Sequence, residues 1–141
     1  MFKHVLIPTD GSRLSMKAVK AGMAFAKELG AGTTVYHALE IPVYAVGGLA
    51  AMQQFEAVAR IEAQKYVDKA VRLARAASVP CEAVITRPDA VHEGIIDAAR
   101  KEKCDVIFMA SHGRSEIAAL VAGSVTLKVL AHSKIPVLVC H

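Results

Sequence analysis

Residues 110 to 124 read ASHGRSEIAALVAGS, in which an S-H-G cluster and a G-S cluster stand nine residues apart, after an apolar run. A glycine beside a helix N-terminus lets backbone N–H groups approach phosphate oxygens, and the helix dipole adds partial positive charge there. Gly123-Ser124 opens the last predicted helix. Gly113 follows a predicted strand and faces that helix from the other side, with Arg114 beside it to offset negative charge. By themselves the two glycines equally suit tight turns and helix caps. A second stretch, PTDGS at 8–12, follows the first strand and carries Asp10, which suits either a ligand contact or turn chemistry and a cap.

Other chemistry is poorly represented. There is no G-x-x-x-x-G-K-S/T phosphate loop, no S-G-G-x-D-S pyrophosphatase loop and no H-I-G-H synthetase motif, so no complete catalytic apparatus is predicted. A receiver domain needs an acidic pair after strand one and a phosphoacceptor aspartate after strand three; the chain has a lone Asp10 and Thr86-Arg87. His112 reads as a loop histidine and His37, in an apolar strand, as a hydrogen-bonded core residue. His4, His92, His132 and His141 have no ligand spacing with each other or with cysteine. Cys81, Cys104 and Cys140 form no C-x-x-C pair and read as reduced core or strand-edge residues.

The elements that must position these residues are legible in order. KHVLIP (3–8) is a short buried strand, and Ser12 caps a helix whose apolar positions Val19, Met23, Ala26 and Leu29 end at Gly30. TTVYHALEI (33–41) is a second strand. PVYAVGGLAAMQQ after it reads as an apolar loop or a weak helix start, before a long helix from about Gln54 to Ala77. CEAVITR (81–87) is a strand, Pro88 and Asp89 open a helix carrying Val91, Ile95 and Ala98, and DVIFMA (105–110) is a strand. Ser124 to about Ser133 is the last helix and IPVLVC (135–140) the last strand. Apolar strands alternating with helices predict an α/β fold, a doubly wound parallel sheet, in one domain over residues 1–141. Ligands of such sheets bind beyond the carboxyl ends of the strands, where the strand order reverses.

The 141 residues are 54% hydrophobic and 21% charged, which excludes disorder, and no apolar run is long enough to cross a bilayer. The N-terminus lacks the features of a signal peptide, so a cytoplasmic protein without a membrane partner is expected. The net charge of +4 is spread over helical faces with no aromatic interleaving, so no nucleic-acid partner is expected.

The chain resembles the universal stress protein family over nearly its whole length, through VLIPTDGS, DVIFMASHGR and GSVTLKVLAHSKIPVLV. These carry the family's P-x-D at the end of strand one, its G-x-x-G followed by nine residues and G-S/T, and its closing P-V-L-V strand. The first glycine of that motif falls on Ala110. The resemblance implies a five-stranded parallel sheet of order 3-2-1-4-5, an adenine nucleotide alpha hydrolase-like, Rossmann-like fold, and ATP, with Mg2+ or Mn2+, as a regulatory ligand. It implies that Asp10 holds the ribose, that Pro8 and Thr9 line the adenine pocket, and that Ala38 offers its backbone to the adenine edge. Gly113, Gly123 and Ser124 would cradle the phosphates near Ala110 and Arg114, and Val125 would close the pocket. The apolar final strand, at the sheet edge, predicts a homodimer through residues 136–140. The alternative is a nucleotide-free dimer acting through protein contacts.

Overall fold

The computed structural model describes residues 1–41, 47–111 and 122–141. The order is β1 (His4–Pro8), α1 (Arg13–Leu29), β2 (Gly32–Ala38), α2 (Gly48–Ala76), β3 (Cys81–Thr86), α3 (Val91–Lys101), β4 (Val106–Ala110), α4 (Ser124–His132) and β5 (Val137–Cys140). All five strands run parallel in the order β3-β2-β1-β4-β5. The doubly wound sheet is therefore as expected.

Strand alternation divides the core in two. Val5 and Ile7 of β1 and Val106 and Phe108 of β4 pack with Val19 and Met23 of α1 and Val67 and Ala70 of α2. Leu6, Ile107 and Met109 point the other way, onto Ile95 and Ala98 of α3 and Val129 of α4. Central strands buried on both faces need apolar residues at successive positions, and this is why β1 and β4 read as unbroken apolar runs. Because α1 leaves β1 toward one face and α4 leaves β4 toward the other, a crevice opens between the carboxyl ends of these neighbouring strands.

Local chemistry sets the helix ends. The Ser12 hydroxyl oxygen accepts from the Ser15 N–H, and Gly30 ends α1 in the left-handed conformation. Residues 42–46 of the stretch before α2 lie outside the described residues, and from Gly48 on the stretch is helix. The helix begins at Gly48 rather than near residue 54, after Gly47 with φ of 117° and no side-chain cap. Leu, Ala, Met and Gln are good helix formers, so α2 propagates back to the glycine pair. Its 29 residues span about 43 Å at 1.5 Å each, roughly twice the length of the strands it covers. Only from Ala63 onward is it buried, through Ala63, Val67, Ala70 and Ala74.

Candidate functional site

A cleft of about 540 Å³ opens at the carboxyl ends of β1 and β4. Pro8, Thr9, Asp10, Ala38, Ala110, Gly123, Ser124 and Val125 all line it. Gly113 and Arg114 lie outside the described residues, as does His112.

On the β1 side the turn into α1 is held by its own hydrogen bonds. The Asp10 carboxylate accepts from the Ser12 N–H at 2.9 Å, so the residue does serve the turn, and its side chain is thereby oriented at the cleft. The Thr9 and Ser15 hydroxyls lie 2.8 Å apart, and Thr9 Oγ1 accepts from the Gly11 N–H at 3.2 Å. Thr9 donates its N–H to the Tyr36 carbonyl at 2.9 Å, and its own carbonyl accepts from His37 Nδ1 at 2.7 Å. A carbonyl cannot donate, so this bond places the proton on Nδ1 and makes His37 the hydrogen-bonded core residue that its apolar strand predicts. With these bonds in place, Thr9 contributes to the cleft as a rigid floor.

Ala38 differs. Tyr36 directs its carbonyl to β1 and Leu39 sends its N–H to Thr86 of β3, so the alternation along β2 turns the Ala38 N–H and C=O toward the β1 side. β1 has ended at Pro8, and the pair of groups faces the cleft beyond it.

On the β4 side, Gly123 donates its N–H to the Ser111 carbonyl at 2.6 Å, and the Thr126 hydroxyl lies 3.0 Å from the Ala110 carbonyl and 3.2 Å from that of Ser111. These bonds pin the first turn of α4 to the end of β4. Gly123 is the extended N-cap residue and, having no side chain, makes no cap hydrogen bond of its own. The N–H groups of Ser124, Val125 and Thr126 have no intrahelical acceptor and carry the positive end of the α4 dipole into the cleft. Ala110 itself is ordinary strand backbone, paired with Cys140; the described non-glycine residues with positive φ are Ser78 and Lys103.

The remaining wall comes from α2, through Ala59, Glu62 and Tyr66, which the motifs do not reveal. Tyr66 makes an edge contact with the His37 ring at 5.4 Å between centroids. It also lies against the turn at Gly11, where an added Cβ would come within 2.5 Å of the phenol ring. Its place next to Val67 of the buried stripe of α2 was the available signal. Tyr36, also lining the cleft, donates to or accepts from the Thr86 hydroxyl at 2.5 Å, and burial raises its pKa. Asp10, Glu40 and Glu62 make the described lining acidic, with no lysine or arginine among those residues. Among the described residues no group of three His, Cys, Asp or Glu side chains is spaced to hold a metal ion.

A model of the universal stress protein family matches residues 1–141. The chain belongs to that family. Within it, a universal stress protein of Thermus aquaticus is 34% identical over 151 residues, covering 98% of both chains. A solved structure of a universal stress protein from Methanocaldococcus jannaschii superposes with a TM-score of 0.84 at 26% identity, over 99% of this chain and 95% of that one. Two further structures share the fold, a universal stress protein in complex with cAMP (TM-score 0.75, 23% identity, 99% of this chain and 97% of that one) and an Archaeoglobus fulgidus universal stress protein in complex with dAMP (0.72, 18%, 99% and 97%). Among the described residues, no helix of this family member is long and apolar enough to cross a membrane.

Proposed function

We propose that this universal stress protein binds an adenine nucleotide, ATP with Mg2+ or Mn2+, in the β1–β4 cleft, as a regulatory ligand of a cytoplasmic stress-response protein. The observation that carries the reading is the N-terminus of α4, which begins at a glycine N-cap, is pinned to β4 and opens into the same cleft as the backbone of Ala38. The fold-mates in complex with cAMP and dAMP support an adenine ligand.

The residues present fit the group. Ala38 offers a donor and an acceptor side by side, which match N1 and the N6 amino group of adenine; guanine presents O6 and N1–H there, setting acceptor against acceptor and donor against donor. Asp10 lies between this end and α4 and suits the ribose hydroxyls. The N–H groups of Ser124, Val125 and Thr126 suit phosphate oxygens, with Gly123 leaving room for their close approach. The described lining holds three carboxylates and no lysine or arginine; Arg114, outside the described residues, and an accompanying divalent cation would screen the triphosphate charge. No catalytic residue is part of this reading.

Thermal melting with Mg-ATP, Mg-GTP and no ligand tests it. ATP at a hundred times its Kd adds about 2.7 kcal/mol to stability, and the melting temperature rises accordingly. GTP should raise it less. Gly123→Val should remove the shift while the domain stays folded, because the branched side chain occupies phosphate space. No shift with any adenine nucleotide would sink the proposal.

A further inference from the structure

Two histidines 40 positions apart in the chain meet where α3 begins and α4 ends, a pairing that their spacing does not announce. His92 stands in the first turn of α3 and His132 is the last residue of α4, and their rings lie 5.4 Å apart between centroids with 30° between the planes. His132 is exposed and His92 half-buried, so solvent reaches the pair. Neither ring lines the cleft, and among the described residues neither makes a hydrogen bond or an ion pair. Aromatic contact accounts for the approach of the rings and makes no use of their nitrogens.

We propose that His92 and His132 together bind a divalent transition-metal ion of the Zn2+, Cu2+ or Ni2+ class, with water in the remaining positions. Imidazole nitrogen suits these ions, whereas Mg2+ and Ca2+ take oxygen. The spacing suits a chelate. With Zn–N of about 2.0 Å, and about 1.2 Å from ring centroid to nitrogen, a tetrahedral ion holds two imidazole centroids about 5.2 Å apart. The observed 5.4 Å needs only a small closure, and the nitrogens reach a common point by turning about χ2, a broad torsion in histidine. The negative end of α4 at His132 favours a cation; the positive end of α3 at His92 opposes it, and Glu93 in the same turn offsets that. Two protein donors are fewer than the three or four of a structural or catalytic zinc centre, so the ion is an exchangeable one. When bound it ties together two helices that otherwise meet through the apolar cluster of Ile95, Ala98 and Val129. The site is independent of the nucleotide reading.

Titration of the tag-free, nucleotide-free protein with ZnCl2, read by calorimetry and by thermal melting, tests the site. Wild type should bind Zn2+ and melt at a higher temperature in its presence, and MgCl2 at the same concentration should give no such shift. Two donors engaged together exceed either one by about a hundredfold or more. His92→Gln and His132→Gln should therefore each weaken the binding by about that factor, and the double variant should lose little beyond either. His132 is exposed, so glutamine there leaves the fold intact, which a melting curve in EDTA checks. Replacing Cys140 by serine and His141 by alanine removes the adjacent thiol and imidazole at the end of the chain and should leave the binding in place. Absence of Zn2+ binding by wild type overturns the proposal. So does binding that survives undiminished in His132→Gln, or that disappears with Cys140 and His141.

Discussion

Thr126, in the first turn of α4, donates its hydroxyl to the carbonyl of Ala110, the last residue of β4, at 3.0 Å. The same hydroxyl lies 3.2 Å from the Ser111 carbonyl. One buried side chain thus fixes the distance between the strand end and the helix N-terminus that face the cleft. Thr126→Val keeps the shape and removes the donor, which costs about 1 to 2 kcal/mol in a buried site. Urea denaturation should show that loss. Calorimetry with Mg-ATP should show weaker binding than the stability change by itself explains, since the first-turn amides lose their register with β4.

Ala110 stands where the family motif has its first glycine, and its backbone is extended strand. It therefore carries no left-handed strain. Ala110→Gly should lower stability by about 0.5 to 1 kcal/mol through backbone entropy. Its effect on ATP is confined to space in the cleft, so titration should give equal or modestly tighter binding. A large gain, from no binding to clear binding, would show that the alanine methyl blocks the natural protein.

Gly11 needs its glycine twice, for φ of 81° and for the ring of Tyr66. The backbone requirement costs an alanine about 1 to 2 kcal/mol, and the ring adds to it. Gly11→Ala should lower the melting temperature strongly and displace Tyr66 from the cleft. In a double-mutant cycle Tyr66→Ala should recover the steric part only, giving a coupling energy that purely additive values would exclude.

Burial pushes the Cys104 thiol up to about 12, opposed by the hydrogen bond with Thr34 and helped by the nearby charges of Glu102 and Asp105. Its folded pKa lies above the unfolded one, so its contribution to stability is present below pH 9 and is lost as the pH rises toward 12. Unfolding midpoints should fall across that window, and less steeply in Cys104→Ala. At pH 8 alkylation of the native protein should spare Cys104 and modify Cys140, which is partly exposed on β5.

β5 is an edge strand, and pairing with a second copy through residues 136–140 remains an expectation with a direct test. Val137 packs onto the α3–α4 cluster, so charging it also strikes the core. Val139→Lys is the cleaner probe. Sedimentation should show loss of one interface, and an unchanged mass would place that contact elsewhere.

The order of strands and helices, the parallel sheet and the position of the cleft at its carboxyl ends were legible in the sequence. Each rests on local chemistry: unbroken apolar runs for strands buried on both faces, three- and four-residue spacing for α1, Ser12 and Gly30 at its ends. The eight described residues that the motifs and the family resemblance pick out lie along one cleft: Pro8, Ala38 and Ala110 end strands, Thr9 and Asp10 follow one directly, and Gly123, Ser124 and Val125 stand at the start of the helix that leads away from β4. What only the tertiary structure decided involves residues far apart in the chain. His37 reaches Thr9 across 28 positions and Thr126 reaches Ala110 across 16, and Tyr66 lies on Gly11 from a helix that begins after β2. No local pattern encodes those distances, because they follow from strand register and helix placement over the sheet. The same holds for α2: its composition favours helix as far back as Gly48, but which of its apolar residues are covered depends on where the sheet stops.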